Sequence, residues 1–323
     1  MKRLILTICL LVLPASSAFA TFSIVAIDPN TGEMGIAVAS RYFSVGAVVP
    51  WAEAEVGAVA TQASVNVGYG PRALELLKEG LTAQQVLDRL FEEDTFPGKG
   101  GRQIAIVDRR GNVAVFTGPD ASDWRGHRKG ATYSAQGNIL AGPEVVEAMG
   151  EAFENTDGEL TERLYAALKA GDAAGGDRRG RQSASILVVG TGIGRNTNND
   201  RYAYINVDDH TDPIGELRRL LDIQLGINNS GLRSRALREG EIGQARQFAE
   251  RAARYRPDNA NGFMHLGFLS YLTGAHGPAL DAFSQARSLS DDFVELWNRM
   301  VETTVYETIA EDTAFVARVM DQN

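Results

Sequence analysis

Residues 21–40 read TFSIVAI-DPNTGE-MGIAVAS, two apolar runs on either side of a cluster of turn-forming residues. Both runs are rich in β-branched and small apolar residues, and the segment from Asp28 to Gly32 favours a turn. The pattern predicts an antiparallel hairpin whose first strand begins at Thr21 and whose second strand ends at Ser40. The start of the first strand is therefore expected to lie beside the end of the second.

The residues before Thr21 contain the three parts of a secretory signal peptide in the usual order. The basic pair Lys2-Arg3 precedes an apolar run from Leu4 to Leu13, and small residues follow up to Ala18-Phe19-Ala20. The apolar run is too short to span a bilayer. We therefore predict a signal peptide over residues 1–20 and an exported protein, periplasmic or extracellular, that begins at Thr21 after cleavage.

A threonine at the beginning of a mature chain is a candidate catalytic nucleophile. Its own α-amine, with an unperturbed pKa of about 8, can take the hydroxyl proton directly or through one water. The sequence has no lysine between Lys2 and Lys78, so the α-amine would have to be the base. The alternative is that Thr21 is simply the first strand residue after an export signal.

The composition narrows the choice of partners and cofactors. Removal of residues 1–20 takes away two of the 32 basic residues and none of the 41 acidic ones, which leaves a net charge of about −11. This charge disfavours nucleic acid and anionic membrane surfaces. The single cysteine, Cys9, lies in the predicted leader, and the four histidines lack the spacing of metal ligands. We expect no metal, no other cofactor and, after the leader, no membrane span.

Beyond the hairpin, groups of strands alternate with pairs of helices up to about residue 226. Further strands are predicted over Val56–Val65, Arg102–Val107, Val113–Thr117, Thr132–Asn138, Gln182–Val189 and Tyr202–Val207. Helices are predicted from Pro71 to Gly80 and over Thr82–Glu93, Gly142–Phe153, Leu160–Ala170 and Pro213–Leu225. Paired helices between mostly antiparallel strands indicate an α+β fold with helices on both faces of the sheets. The order is compatible with a four-layer αββα sandwich over residues 21–226.

The last hundred residues follow a period of 34. Leu232, Gly240, Ala245, Ala249 and Ala252 are followed 34 positions later by Leu266, Gly274, Ala279, Phe283 and Ala286. Small residues at this period are typical of tetratricopeptide repeats, which predicts a second, helical domain over residues 227–323 with a closing helix near Phe293–Ile309. Such a module either binds a protein partner or packs on the other domain of the same chain, and the sequence leaves both possibilities open. It also leaves open whether the protein forms a homo-oligomer.

The first domain also carries a set of short segments that point to a known family. They are Thr21–Ala26, Asp28-Pro29-x-Thr31-Gly32, Ala37–Arg41, Val49–Ala52, Gly57–Ala63, Gln136–Asn138 and Gly175–Ser183. In these segments, from Thr21 to about Val189, the chain resembles the family called domain of unknown function 1028. The resemblance implies the αββα fold of N-terminal-nucleophile (Ntn) hydrolases and a nucleophile at Thr21, but it implies no particular substrate.

Polar residues at strand ends are candidates for the rest of a catalytic site. Ser40 and Arg41 end the second strand, where their polar groups can orient Thr21 or meet an acid on a substrate. Gly137 and Asn138 end another strand, where an amide can stabilise a developing oxyanion. The alternative for Ser40 and Arg41 is that they are ordinary polar residues at a strand end. The alternative for Gly137 and Asn138 is a simple Gly-Asn turn.

Two further groups are candidates for substrate binding. Thr61, Gln62 and Asn66 occur in or just after an otherwise apolar strand, so they either line a pocket or pair with other polar groups.

The second group is a glycine-rich loop that contains Asp177, Arg178, Arg181 and Gln182. Its guanidinium groups suit the capture of a carboxylate or phosphate. The alternative for this loop is a solvated basic turn.

The sequence thus predicts an exported Ntn-type amidohydrolase in which Thr21, with Ser40 and Asn138, cleaves an amide bond of an acidic small molecule or peptide. The rival is a non-catalytic cell-envelope binding or scaffold protein, in which the tetratricopeptide-like module recognises its partner.

Overall fold

The computed structural model describes residues 20–196, 198–303 and 305–321. The predicted leader, apart from Ala20, lies outside these residues. The strands are β1 (Thr21–Ile27), β2 (Met34–Ser40), β3 (Pro50–Glu53), β4 (Gly57–Ala63), β5 (Arg102–Asp108), β6 (Val113–Thr117), β7 (Gly126–Lys129), β8 (Tyr133–Asn138), β9 (Ser183–Val189) and β10 (Arg201–Val207). The helices of the sheet domain are α1 (Tyr69–Lys78), α2 (Ala83–Glu93), α3 (Glu144–Asn155), α4 (Leu160–Ala173) and α5 (Pro213–Arg238).

Strand β1 lies inside a six-stranded antiparallel sheet with the order β10-β9-β2-β1-β8-β7. The predicted hairpin is confirmed, and Thr21 lies opposite Ser40 of β2. On its other side, Thr21 lies opposite Asn138 of β8. A second antiparallel sheet has the order β3-β4-β5-β6. In the six-stranded sheet, the predicted catalytic residues Ser40 and Asn138 therefore lie on either side of Thr21.

The two sheets pack face to face, and helices cover both outer faces. Between the sheets, side chains such as Val25 and Val38 pack with Ala60 and Val107 in one apolar core. The other face of the six-stranded sheet packs on α3, α4 and α5, and the other face of the four-stranded sheet packs on α1 and α2. The described domain therefore has four layers in the order α-β-β-α, and the predicted α+β class is confirmed.

Three features differ from the expectation. Strands β3 and β7 have four residues each and lie at sheet edges, and their proline and charged residues hide the strand pattern. Helix α5 was expected to end at Leu225, but it continues to Arg238 through the predicted domain boundary. Gly226 lies inside the helix, where a Cβ would lie only 2.5 Å from the Arg256 side chain. The glycine permits close packing inside a helix.

The C-terminal helices are α6 (Ile242–Tyr255), α7 (Ala260–Leu272), α8 (His276–Leu289), α9 (Phe293–Val301), α10 (Thr308–Glu311) and α11 (Thr313–Met320). Helices α6 and α8 begin and end 34 residues apart, in step with the period of the sequence. The tetratricopeptide assignment itself stays a prediction. The expected closing helix is divided into α9 and α10. No helix in the described part of the chain is both long and apolar enough to cross a membrane.

Candidate active site

Thr21 is the first residue of β1, and its hydroxyl contacts the hydroxyl of Ser40. The two oxygens are 3.1 Å apart, and both residues are 2% exposed. The register of the β1–β2 hairpin causes this contact, because it places the two residues directly opposite each other. The Ser40 hydroxyl also donates a hydrogen bond to the carbonyl oxygen of Ala20. Ser40 therefore joins the threonine hydroxyl to the peptide bond that precedes it.

The Ala20 carbonyl has a second donor from the glycine-rich loop. Nη2 of Arg179 lies 2.9 Å from this oxygen. Ala20 itself is fully buried, so its carbonyl is held between a hydroxyl and a guanidinium group out of contact with bulk water. Hydrogen bonds from a charged donor in such surroundings are stronger than those between neutral groups.

Asp177 orients Arg179. The Asp177 side chain is 2% exposed and accepts hydrogen bonds from Nε and Nη2 of Arg179, at 3.3 and 3.0 Å. It also accepts from two backbone amides, those of Arg41 at 2.7 Å and Arg179 at 2.8 Å. One buried carboxylate therefore connects the loop, the end of β2 and the guanidinium group at Ala20.

The other predicted residues of this loop point elsewhere. Arg181 pairs with Asp172 at 2.7 Å, and this hydrogen bond raises the pKa of the Arg181 guanidinium. Gln182 donates to Asp209 at 3.0 Å. Arg178 is exposed, and its guanidinium forms no ion pair within the described residues. Sequence reasoning missed Arg179, since three arginines in one loop give no signal for which one turns inward.

Arg41 contributes to the site through its backbone more than through its side chain. Its amide donates to Asp177, as described above, and its exposed guanidinium donates to the backbone carbonyl of Arg179. The prediction gave Arg41 two possible roles, to orient Thr21 or to meet an acid on a substrate. In the structure, its contacts hold the loop that carries Arg179.

Gln62 meets Thr21 from the opposite sheet. Its Nε2 lies 3.3 Å from the Thr21 carbonyl oxygen and 2.8 Å from Oε1 of Gln103, and its Oε1 accepts from the Ser23 hydroxyl at 2.6 Å. Gln103 in turn donates to the carbonyl of Gly137 at 2.9 Å. These buried contacts fix β1 and β8 against the four-stranded sheet just below Thr21. Of the side chains that make this network, those of Gln62, Gln103 and Ser23, the sequence identified only Gln62 as a site residue.

Thr61 and Asn66 form a separate contact. The Thr61 hydroxyl donates to the Asn66 carbonyl at 3.3 Å, and the Asn66 side chain accepts from the Gly68 amide at 3.1 Å. They therefore stabilise the loop after β4, and neither hydrogen-bonds to Thr21 within the described residues. The third predicted catalytic residue, Asn138, is buried beside Thr21 in the strand ladder.

A small apolar niche lies on one side of Thr21. Its volume is about 10 Å³, room for one water, and it is lined mainly by Tyr42, Val45, Val48, Val49, Ala63 and Val65. Ala63 has φ = 64°, and Ile139, directly after Asn138, has φ = 54°. A left-handed conformation costs a residue other than glycine about 1–2 kcal/mol. Such strain is common at functional sites, so these positions strengthen the case for a site here.

The approach of β8 to Thr21 leaves no room for a side chain at Gly137. A Cβ at this position would lie 2.5 Å from Leu140 Cδ1 and 2.9 Å from the Thr21 carbonyl oxygen. We expect Gly137→Ala to lower the free energy of unfolding by about 1–3 kcal/mol, the usual cost of overpacking. Urea unfolding measures this. As a control, Gly243→Ala, where a Cβ meets nothing within 4 Å, should not destabilise. Equal stability of the Gly137 variant and the parent would contradict the close approach.

Electrostatically, the site contains an arginine–aspartate pair and hydroxyl groups. The first two lysines after Thr21 in the sequence have partners outside the site. Lys78 pairs with Glu53 at 2.7 Å, and Lys99 donates to two backbone carbonyls. Within the described ranges, no group of three or more His, Cys, Asp or Glu residues is arranged to hold a metal ion. Thr21 therefore has a hydroxyl, not an ammonium group, as its side-chain partner.

Comparison with known proteins places the sheet domain in a family. The model of DUF1028, a family of unknown function, matches residues 21–217. The crystal structure of protein SPO2555 from Silicibacter pomeroyi, described as a DUF1028 protein, is similar with a TM-score of 0.57 and 33% identity. The similarity covers 63% of this chain and 85% of that one. No curated protein matches the chain.

Proposed function

The chain belongs to the DUF1028 family, and we propose that it is an exported Ntn-type hydrolase that cleaves an amide bond with Thr21 as the nucleophile. The observation that carries this proposal is the position of the Ser40 hydroxyl. It lies within hydrogen-bond distance of both the Thr21 hydroxyl and the carbonyl that precedes Thr21. After cleavage behind Ala20, the nitrogen of that peptide bond becomes the free α-amine of Thr21.

The proposed reaction begins with proton transfer. The Thr21 hydroxyl gives its proton to the α-amine, through Ser40 or one water, as its oxygen attacks the amide carbon. The C–N bond then breaks, and the departing amine takes the proton from the α-ammonium group. A water attacks the resulting ester with the α-amine as base, releasing the acid and restoring the Thr21 hydroxyl.

Removal of residues 1–20 also takes away an acceptor that two donors share. The Ser40 hydroxyl and Nη2 of Arg179 both bind the Ala20 carbonyl in the uncleaved chain. Cleavage removes this carbonyl from the position beside the nucleophile. Because the two donors already hold a carbonyl oxygen at this point, they are suited to hold that of a substrate as negative charge develops on it. Arg178, exposed on the same loop, is the proposed contact for an acidic group.

This proposal is tested by comparing two forms of the N-terminus. The protein beginning at Thr21 should react with a β-lactone, whereas a form that retains Met before Thr21 should not, because its α-amine is in an amide. Mass spectrometry of the intact labelled protein measures the modification. The exported natural protein should likewise begin at Thr21.

Two results would overturn the proposal. An exported protein that begins at another residue has no terminal nucleophile. Labelling of both forms at equal rates would show that the α-amine plays no part. If the form beginning at Thr21 resists a panel of such electrophiles, the alternative is a non-catalytic envelope protein whose C-terminal helices bind a partner.

A further inference from the structure

A cavity of about 810 Å³ lies at the opposite end of β1 from Thr21. Its walls are formed by the β1–β2 turn, the connection between α3 and α4, strand β10, and helices α5 and α6. The length of β1, at about 3.3 Å per residue, separates Asp28 in this cavity from Thr21 by about 20 Å. The cavity is thus distinct from the candidate active site, and its size is typical of small-molecule pockets.

Three of the six carboxylates that line the cavity are paired with donors from the wall itself. Glu159 accepts hydrogen bonds from the hydroxyls of Tyr202 and Tyr255, at 2.8 and 2.9 Å. Arg218 pairs with Glu162 at 2.8 Å and with Asp222. These contacts connect α4, α5, α6 and β10, so the wall is built from ordered polar groups.

Two lining carboxylates, those of Asp157 and Glu33, lack a hydrogen-bond or ion-pair partner among the described residues, and only Glu33 is half-buried, since Asp157 is exposed. The Glu33 side chain lines the cavity, yet no hydrogen bond or ion pair reaches its carboxylate from the described residues. Burial raises the pKa of Glu33 to about 7, and the nearby carboxylates of Glu159 and Asp28 contribute to the increase. Arg163 lies 3.8 Å from Asp28. A bound cation would relieve the unfavourable charge at Glu33.

Helix α6 contributes positive charge to the cavity wall. Arg251 and Arg254 of α6 line the cavity, and neither forms an ion pair within the described residues. The guanidinium of Arg254 lies over the Tyr255 ring, 4.9 Å from its centre, and donates to the Tyr255 hydroxyl. The cavity therefore has one half-buried carboxylate, that of Glu33, and two guanidinium groups that form no ion pair within the described residues.

We propose that this cavity binds a zwitterionic amino acid or short peptide, with the ammonium group of the ligand at Glu33 and its carboxylate at Arg251 and Arg254. The ligand site does not depend on a nucleophile at Thr21, so it stands or fails separately from the hydrolase proposal.

Isothermal titration calorimetry of the full chain with dialanine tests the assignment. Dialanine should bind at millimolar or lower concentrations, N-acetyl-dialanine should not, and dialanine amide should bind about tenfold more weakly. Calcium chloride is the inorganic control. Absence of dialanine binding, equal binding of the acetylated peptide, or Glu33-dependent binding of calcium instead of the peptide would overturn the proposal.

Substitution of Glu33 tests the proposed site more directly than the comparison of peptides does. Because the ammonium group binds the ionised carboxylate, protons compete with the ligand below pH 7, and dialanine affinity should rise about eightfold between pH 6 and 7.5. The other titratable and charged groups that line this cavity are Asp28 from the β1–β2 turn, Asp157 and Glu159 from the α3–α4 connection, Glu162 from α4, Tyr202 from β10, Arg218 and Asp222 from α5, and Arg251, Arg254 and Tyr255 from α6. Arg163 of α4 lies 3.8 Å from Asp28. Glu33→Gln should lose at least tenfold in affinity and all of this pH dependence.

Two further variants make the outcome unambiguous. Glu144→Gln alters an exposed glutamate at the start of α3, outside the cavity, and should bind dialanine as the parent does. Arg254→Gln should weaken dialanine but not dialanine amide, which lacks the carboxylate. The Glu33 variant removes an unfavourable charge, so its melting temperature at pH 8 should be no lower than that of the parent. Equal dialanine affinity in the Glu33 variant and the parent would refute the site.

Discussion

Thr21→Ala, in the protein that begins at residue 21, should abolish labelling by a β-lactone and reduce amide hydrolysis at least about a thousandfold. This corresponds to about 4 kcal/mol of lost transition-state stabilisation at 1.36 kcal/mol per factor of ten. The fold should survive, because the substitution removes one hydrogen bond to Ser40 and keeps the strand. A loss of about 1 kcal/mol, or a few degrees in melting temperature, is expected.

Two controls separate chemistry from packing. Thr21→Ser retains the hydroxyl and should retain labelling. Thr161→Ala removes another fully buried threonine hydroxyl, in α4 and away from the site, and should be labelled like the parent. Mass spectrometry and thermal unfolding on the same samples measure both effects. Full labelling of the Thr21→Ala protein would show that the electrophile reacts elsewhere and would remove the nucleophile from the proposal.

The part of the site that could be predicted from the sequence is local. The turn at Asp28–Gly32 and the two apolar runs fix the hairpin register, and a register fixes which side chains are neighbours. Ser40 beside Thr21 follows directly. The strand that ends at Asn138 was also recognisable, although its pairing with β1 depends on the whole sheet.

The residues that were missed depend on contacts between distant segments. Gln103 acts at the site only because the four-stranded sheet packs on the six-stranded one, and no sequence pattern shows which side chains meet between two sheets. Arg179 points inward because Gly175, Gly176 and Gly180 adopt positive φ, which sets the path of the loop. The alternation and spacing of residue types in the sequence do not predict the path of this loop.

The length of α5 illustrates a different limit. Gly226 follows a predicted helix end, and glycine is a common signal for one. In the structure, the helix continues, and Asn228 donates to the Tyr202 carbonyl at 2.7 Å. Tyr255 of α6 also belongs to the core of the six-stranded sheet. Tertiary packing determines where α5 ends, so the local sequence signals for a helix end misplace it.

The second large effect is expected at Asp177. Asp177→Ala leaves the Arg179 guanidinium and two backbone amides without their buried acceptor. Loss of one partner of a buried ion pair costs about 3–5 kcal/mol, and the partial exposure of Arg179 reduces the expected cost to about 2–4 kcal/mol. Urea unfolding measures it as a lower midpoint at unchanged slope.

Asp172→Ala provides the matched control, because it breaks an arginine–aspartate pair next to the same loop. Its partner Arg181 is half exposed, and exposed pairs contribute at most about 1 kcal/mol. Asp177 should also affect chemistry, since without it Arg179 loses its orientation toward the carbonyl position beside Thr21. Below the unfolding transition, β-lactone labelling of the Asp177 variant should therefore be slow, while the Asp172 variant reacts normally. Equal stability losses and equal labelling in the two variants would mean that Asp177 does not organise the site.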